Sequence, residues 1–207
     1  MTERLIVFGD SWPAGVGVTN PGKEGFVALL GKKLNCDVVN LSQPATSIDH
    51  AVWKLIDFLK DYNSQQYQDK ILFCLTGKIR SWYFKKGEIL ELHPTRVDPT
   101  NKLYYSYVYS DELGEAERIK NIILVEELCR KYSLPVNFVL NWDNAPTHPL
   151  IDLNNFYPNS LLSLFDIEPL PEEKFTDKHV NNTFMTQFHP NNLGHQVIAD
   201  SLFNWLQ

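Results

Sequence analysis

Near the amino terminus, Leu5-Ile6-Val7-Phe8 is an unbroken apolar run that stops at Gly9-Asp10-Ser11, with Gly15 and Gly17 close behind. A serine hydroxyl delivered by the end of a strand can serve as a nucleophile, and its own backbone N–H can point at a developing oxyanion. A plain turn, capped by Asp10 or Ser11, is the competing reading. Serine attacks only when a base lies within hydrogen-bond reach. The far end of the chain supplies a candidate in Phe188-His189-Pro190-Asn191-Asn192-Leu193-Gly194-His195, which closes a loop and opens a helix. His189 is the candidate base. His195, inside the helix, is expected to pack or to hydrogen-bond.

Other chemistries find little support. The remaining histidines, His50, His93, His148 and His179, form no HExxH motif, and Gly15-Val16-Gly17 lacks both a Walker lysine and a full dinucleotide fingerprint. No metal and no cofactor is therefore expected, and protein donors alone must activate the electrophile. A net charge of −6 with 21% charged residues argues against a nucleic-acid partner. No apolar stretch is long enough to span a bilayer. Cys36, Cys74 and Cys129 are widely spaced and odd in number. They are expected to be free thiols in a reducing, cytoplasmic compartment.

The elements that must position Ser11 and His189 follow from periodicity. The continuous run within 4–8 predicts a strand of a parallel sheet covered on both faces, and apolar segments predict further strands at 36–41, 70–75 and 136–140. Apolar stripes at helical spacing predict helices at 24–34, 48–59 and 113–132. Ser47 or Asp49 is expected to cap the second of these. In the last helix, Asn191 or Asn192 caps, and Leu193, Val197, Ile198, Leu202 and Leu206 face inward. Residues 161–165 fit either a fifth strand or a helical turn. Alternating strands and helices imply right-handed crossovers, with the site beyond the carboxyl ends of the strands. Four loops converge there: those carrying Ser11, Ser42 to Ser47, Thr76-Gly77 and Asn141 to Asn144.

With 207 residues, 43% of them hydrophobic, the chain suits a single domain, 1–207. Two regions interrupt the alternation. Residues of about 80–111 are rich in aromatics and fit no regular unit, though 104–109 alternates enough for a strand in a hairpin or lid. Residues of about 142–188 carry Pro146, Pro149, Pro158, Pro169 and Pro171, which disfavour long helices. The aromatic insertion reads as a surface for sugar rings, as a satellite core, or as a subunit interface. A homo-oligomer stays open.

On these residues the chain resembles the SGNH hydrolases, the GDSL esterase/lipase superfamily, as a divergent member. Gly9-Asp10-Ser11 with Gly15 matches the first family block, and His189-Pro190-Asn191 with Gly194-His195 matches the last. The resemblance implies a three-layer α/β/α sandwich with a mostly parallel, flavodoxin-like sheet, and hydrolysis of esters. Family substrates include lipids, thioesters and acetylated sugars.

Three departures accompany the match. In the second block, Asn40-Leu41-Ser42-Gln43-Pro44-Ala45, alanine replaces the glycine whose N–H holds the oxyanion. The N–H survives that change, but alanine resists a positive φ. In the third block, Gly77-Lys78-Ile79-Arg80, Ile79 stands where an asparagine side chain would donate. Arg80, Lys78 and Asn141 are candidate replacements, with a plain surface role the alternative for Arg80. In the last block, Thr186 stands where an aspartate would orient the histidine. Thr186, Asp177 and Asp143 are the candidate orienters, or a bare Ser11–His189 dyad serves.

The expectation is an acyl-enzyme hydrolase of a small ester, with O-acetyl groups on a carbohydrate as first substrate class. Ser11 and His189 are catalytic. The Ser11 and Ala45 amides hold the oxyanion, with Arg80 or Asn141 as a further donor. Trp12, Trp82 and Tyr83 are the candidate substrate contacts. The alternative is a degenerate member that binds a glycan or a protein partner.

Overall fold

The first apolar run forms β1 (Thr2–Phe8), and the chain then builds a five-stranded sheet around it. The computed structural model describes residues 2–63, 67–86 and 88–207. The other sheet strands are β2 (Asp37–Asn40), β3 (Tyr67–Leu75), β6 (Val136–Leu140) and β7 (Phe156–Ser160). They stand in the order β2-β1-β3-β6-β7, and every pairing is parallel. The order reverses between β1 and β3, so the carboxyl ends of these two strands flank the crevice where doubly wound sheets place ligands.

Alternation along the strands splits the core in two. Leu5, Val7, Leu72 and Cys74 point to one face, beneath α2 (Phe26–Leu34) and α6 (Asn192–Leu206). Ile6, Phe8, Ile71 and Phe73 point to the other, beneath α3 (Ile48–Lys60) and α5 (Asp111–Lys131). This is the three-layer α/β/α sandwich. A short helix, α1 (Pro21–Glu24), precedes α2. Ser47 caps α3 by accepting from His50 N–H, and Asn191 caps α6 by accepting from Gly194 N–H. Leu193 is exposed in the first turn of α6, ahead of the inward stripe formed by Ile198 and Leu202. The three cysteines are free, with Cys74 and Cys129 buried. Burial pushes the Cys129 thiol up to about 12. Among the described residues, no helix is long and apolar enough to cross a membrane.

The two irregular regions have more structure than expected. Residues 81–92 form a hairpin of β4 (Ser81–Lys85) and β5 (Glu88–Leu92). Residues 104–109 are not a strand. Asp98 caps a helix, α4 (Pro99–Tyr107), with Pro99 at its first position, and that start signal outweighs the tyrosine alternation. Residues 161–165 are a 3-10 turn, and the fifth strand is the preceding segment, β7. Pro158 lies inside β7, which is tolerated because β7 is an edge strand. A two-residue pair, β8 (Met185–Thr186) with β9 (His189–Pro190), carries His189 to the sheet edge.

Candidate active site

Ser11 sits on the turn that leaves β1. Trp12 N–H bonds Asp10 Oδ1 at 3.2 Å, Ala14 N–H bonds Asp10 O at 3.2 Å, and Val16 N–H bonds Ser11 O at 3.0 Å. The turn places the buried Ser11 at the wall of two hollows, while the neighbouring carboxylate points inward. Asp10 is 1% exposed. It accepts from Thr76 Oγ1 at 2.7 Å and Asn141 Nδ2 at 2.9 Å, and Arg80 Nη1 lies 3.4 Å away. Asp10 thus ties together the ends of β1, β3 and β6. Capping by Asp10 and a presented Ser11 are both realised in one turn.

His189 Nε2 lies 3.0 Å from Ser11 Oγ, across 178 positions of sequence. Trp12 steadies that approach: its indole Nε1–H donates to Phe188 O at 3.2 Å. Burial lowers the His189 pKa, Asp10 and Glu172 push it back up, and Arg80 pushes it down. The net direction is down, so the imidazole is neutral near pH 7, as a base must be. His195 plays a different part. It is fully buried, accepts from Phe26 N–H at 3.1 Å, and donates to Val16 O at 3.3 Å. Burial takes its pKa to about 4. It is a neutral strut between α6, α2 and the serine turn, in line with the packing role expected for it.

Two candidate donor residues, Ser11 and Ala45, line the same hollow from the loops after β1 and β2. The amides of Ser11 and Ala45 donate to no described group. Ala45 adopts φ +61, the left-handed conformation that its methyl group disfavours. Of the proposed replacements for the missing asparagine, Asn141 has its amide committed to Asp10 and is fully buried, so it faces away from the cleft. Arg80 is not a surface residue. Its side chain is 11% exposed and pairs through Nε and Nη2 with Glu172, with Nε–Oε1 at 2.9 Å. Its Nη1 also reaches Thr46 O at 3.4 Å. Burial alone would push the Glu172 carboxyl up, but His93 and Arg80 outweigh it and hold the group below its ordinary range.

The structure brings none of the candidate orienters to His189. Asp143 binds Arg118 at 2.7 Å. Asp177 opens a 3-10 turn that closes on itself. Thr186 pairs with His189 across the β8–β9 ladder, but its side chain is exposed, because a directly opposed residue need not reach the ring. Among the described residues, no carboxylate contacts His189 Nδ1, and the arrangement is a dyad.

Two hollows meet at Ser11 and His189. One, of about 450 Å³, is walled by Ile79, Trp142, Phe175 and Phe188, with His93, Glu172 and Glu173 at its polar side. The other, of about 340 Å³, runs past Val16, Pro44, Ala45 and Arg96. The expected substrate contacts lie elsewhere. Trp12 is 0% exposed and belongs to the core, against Trp142 and Phe165. Trp82 stacks on His50 at the foot of the hairpin, and neither it nor Tyr83 lines either hollow. Sequence reasoning missed Glu172, His93 and the Trp142–Phe175–Phe188 wall. Glu172 follows two prolines in a segment without periodicity, and one trace of it exists in Gly77. A Cβ there would lie 2.7 Å from Glu172 Cβ, so a larger residue would have to push that side chain aside. Among the described residues, no group of three His, Cys, Asp or Glu side chains could hold a metal ion.

No family model matches the chain, and no curated protein matches it by sequence. Solved structures do match. A lipolytic protein of the G-D-S-L family from Veillonella parvula superposes with a TM-score of 0.55 at 14% identity, covering 98% of this chain and 97% of its own. The chain shares the fold of that G-D-S-L family protein. The psychrotrophic esterase EstA of Pseudoalteromonas shares that fold with a TM-score of 0.54 at 14% identity, over 99% of this chain and 96% of its own. So does an acetyl xylan esterase from Butyrivibrio proteoclasticus, with a TM-score of 0.55 at 15% identity, over 99% of this chain and 63% of its own. At these identities the likeness is one of G-D-S-L architecture. Ser11 opens the turn after the first strand of that fold, and His189 directly precedes its last helix.

Proposed function

We propose that the protein is a serine hydrolase of small esters, working through an acyl-enzyme. The observation that carries this reading is the 3.0 Å contact between Ser11 Oγ and His189 Nε2, at a cleft lined by Ser11 and Ala45, whose amides donate to no described group. His189 Nε2 takes the Ser11 proton as Oγ attacks the ester carbonyl carbon. The Ser11 and Ala45 N–H groups receive the negative oxygen. As the carbonyl re-forms, the carbon–oxygen bond to the alcohol breaks, and His189 returns the proton to the departing alkoxide. Water, deprotonated by the same nitrogen, then discharges the acyl group from Ser11. Asp10 and Glu172 supply the negative field that favours the transient imidazolium. O-acetyl groups on a carbohydrate remain the proposed substrate class, with Trp142, Phe175 and Phe188 as the aromatic surface for the ring.

The test is labelling by a fluorophosphonate probe with peptide mapping, beside release of 4-nitrophenol from 4-nitrophenyl acetate. A tag on Ser11 and loss of turnover in Ser11→Ala are expected. Turnover that survives Ser11→Ala removes the assigned nucleophile. A second reading, a degenerate fold that binds a glycan without turnover, draws on the lack of a carboxylate at His189 Nδ1. It predicts no tag, no turnover, and saturable binding on a glycan array.

A further inference from the structure

We propose that Glu91 is a positioning residue of the oxyanion hole: from the β4–β5 hairpin it clamps the Ala45 loop in the backbone shape that presents the Ala45 amide. The inference rests on the hydrolase reading above for its functional consequence, and on geometry for the clamp itself.

Ala45 occupies φ +61, where an alanine is strained and a glycine is not. A strained residue persists only when its surroundings over-determine it. On the amino-terminal side, Gln43 N–H donates to Gly9 O at 3.0 Å, which ties the loop to the serine turn. Thr46 Oγ1 then donates to Gln43 O at 2.7 Å, closing the loop over Ala45. On the carboxyl-terminal side Arg80 Nη1 reaches Thr46 O at 3.4 Å, and Glu91 holds the residue after it. Its Oε2 accepts from Ser47 N–H at 3.0 Å, and its Oε1 lies 2.6 Å from His50 Nδ1. One carboxylate therefore grips the loop two residues beyond Ala45 and also the first turn of α3. The grip is shielded: the Glu91 and His50 side chains are 11% and 6% exposed, and Trp82 stacks over the imidazole. Arg96 Nη1 donates to Glu91 O at 3.0 Å, fixing the backbone from which the carboxylate projects.

The hairpin thereby acquires a task. It does not line the cleft through Trp82 or Tyr83; it braces the loop that does. Where the related block would place a glycine, this chain has an alanine and an external clamp. A displaced N–H at an oxyanion hole costs turnover more than ground-state affinity, because the full charge appears only in the transition state.

The experiment compares wild type, Glu91→Ala, Glu91→Gln and the double variant Glu91→Ala/Ala45→Gly. It reads kcat and KM on 4-nitrophenyl acetate, and hydrogen exchange of amides 42–50 in the folded proteins. Glu91→Ala is expected to lower kcat by about tenfold or more with KM little changed, and to speed exchange across 42–50. Glu91→Gln keeps an oxygen for Ser47 N–H and its volume, so it folds and falls between. The double variant recovers much of the lost kcat, since glycine holds the left-handed shape without strain. Unchanged exchange over 42–50 in both Glu91 variants overturns the clamp, whatever the activity. Faster exchange in the Glu91 variants with kcat equal to that of an active wild type overturns the link to the oxyanion hole and leaves the hydrolase reading intact. Faster exchange in the Glu91 variants, beside a wild type that neither turns over ester nor tags Ser11, upholds the clamp and removes the hydrolase reading.

Discussion

A methyl group at Gly17 should separate the serine from its base. Gly17 has φ +108, and its Cα faces the strand that carries the histidine. A Cβ built there lies 2.1 Å from Pro190 O and 3.2 Å from His189 Cβ. Real Cβ contacts stay above about 3.0 Å, so the Pro190 carbonyl must retreat by 3.0 − 2.1, about 1 Å. Trp12 Nε1 holds Phe188 O, and Asn191 N–H holds Phe184 O at 2.8 Å, so the segment cannot slide freely. The displacement falls on the two residues between them, His189 and Pro190. His189 Nε2 starts 3.0 Å from Ser11 Oγ, and a further ~1 Å takes the pair beyond hydrogen-bond range. Misplacement by that amount costs on the order of 100-fold in turnover. The strained φ adds about 1–3 kcal/mol of destabilisation. The assay is kcat for 4-nitrophenyl acetate together with urea unfolding for Gly17→Ala. Gly22→Ala is the control, because its new Cβ meets nothing closer than Asn20 Oδ1 at 3.8 Å. A Gly17→Ala protein that keeps kcat within about twofold of wild type would refute the reasoning.

Two further predictions concern pH. The His189 pKa is lowered from 6.5, chiefly by burial, and its neutral form is the base. The acid limb of kcat/KM should therefore fall below the ordinary histidine range; a limb above pH 7 contradicts the placement. His195 is depressed to about 4 by burial, against 6.5 when unfolded. The unfolded chain then binds the extra proton between those values, so the stability His195 contributes is complete above pH 6.5 and drains as pH falls toward 4. The loss amounts to about 3 kcal/mol. Urea unfolding at pH 7 and pH 4 checks this, and His195→Gln should flatten the difference.

Legibility in the sequence tracked how local the cause was. Parallel strands show as short segments rich in apolar residues, so β1, β2, β3 and β6 were placed within a few residues. β7 escaped because a short edge strand holding Pro158 has neither alternation nor a run. Asp98-Pro99 announced a helix that the tyrosine spacing obscured. In the cleft, Ser11 and His189 stood out since each lies where a periodic element starts or stops. Trp12 misled: a large aromatic beside the serine packs inward, and only its N–H serves the site.

By itself, then, the chain's pattern determined a parallel α/β sheet and two polar residues at its rim, for apolar periodicity and element boundaries are local properties. The tertiary structure alone decided what surrounds them. Glu172 reaches Arg80 across 92 positions, and Glu91 reaches His50 across 41. Asn141 turns to Asp10 across 131. Which charges meet depends on how separate loops close over one sheet edge, and a buried carboxylate takes whichever donors that closure brings.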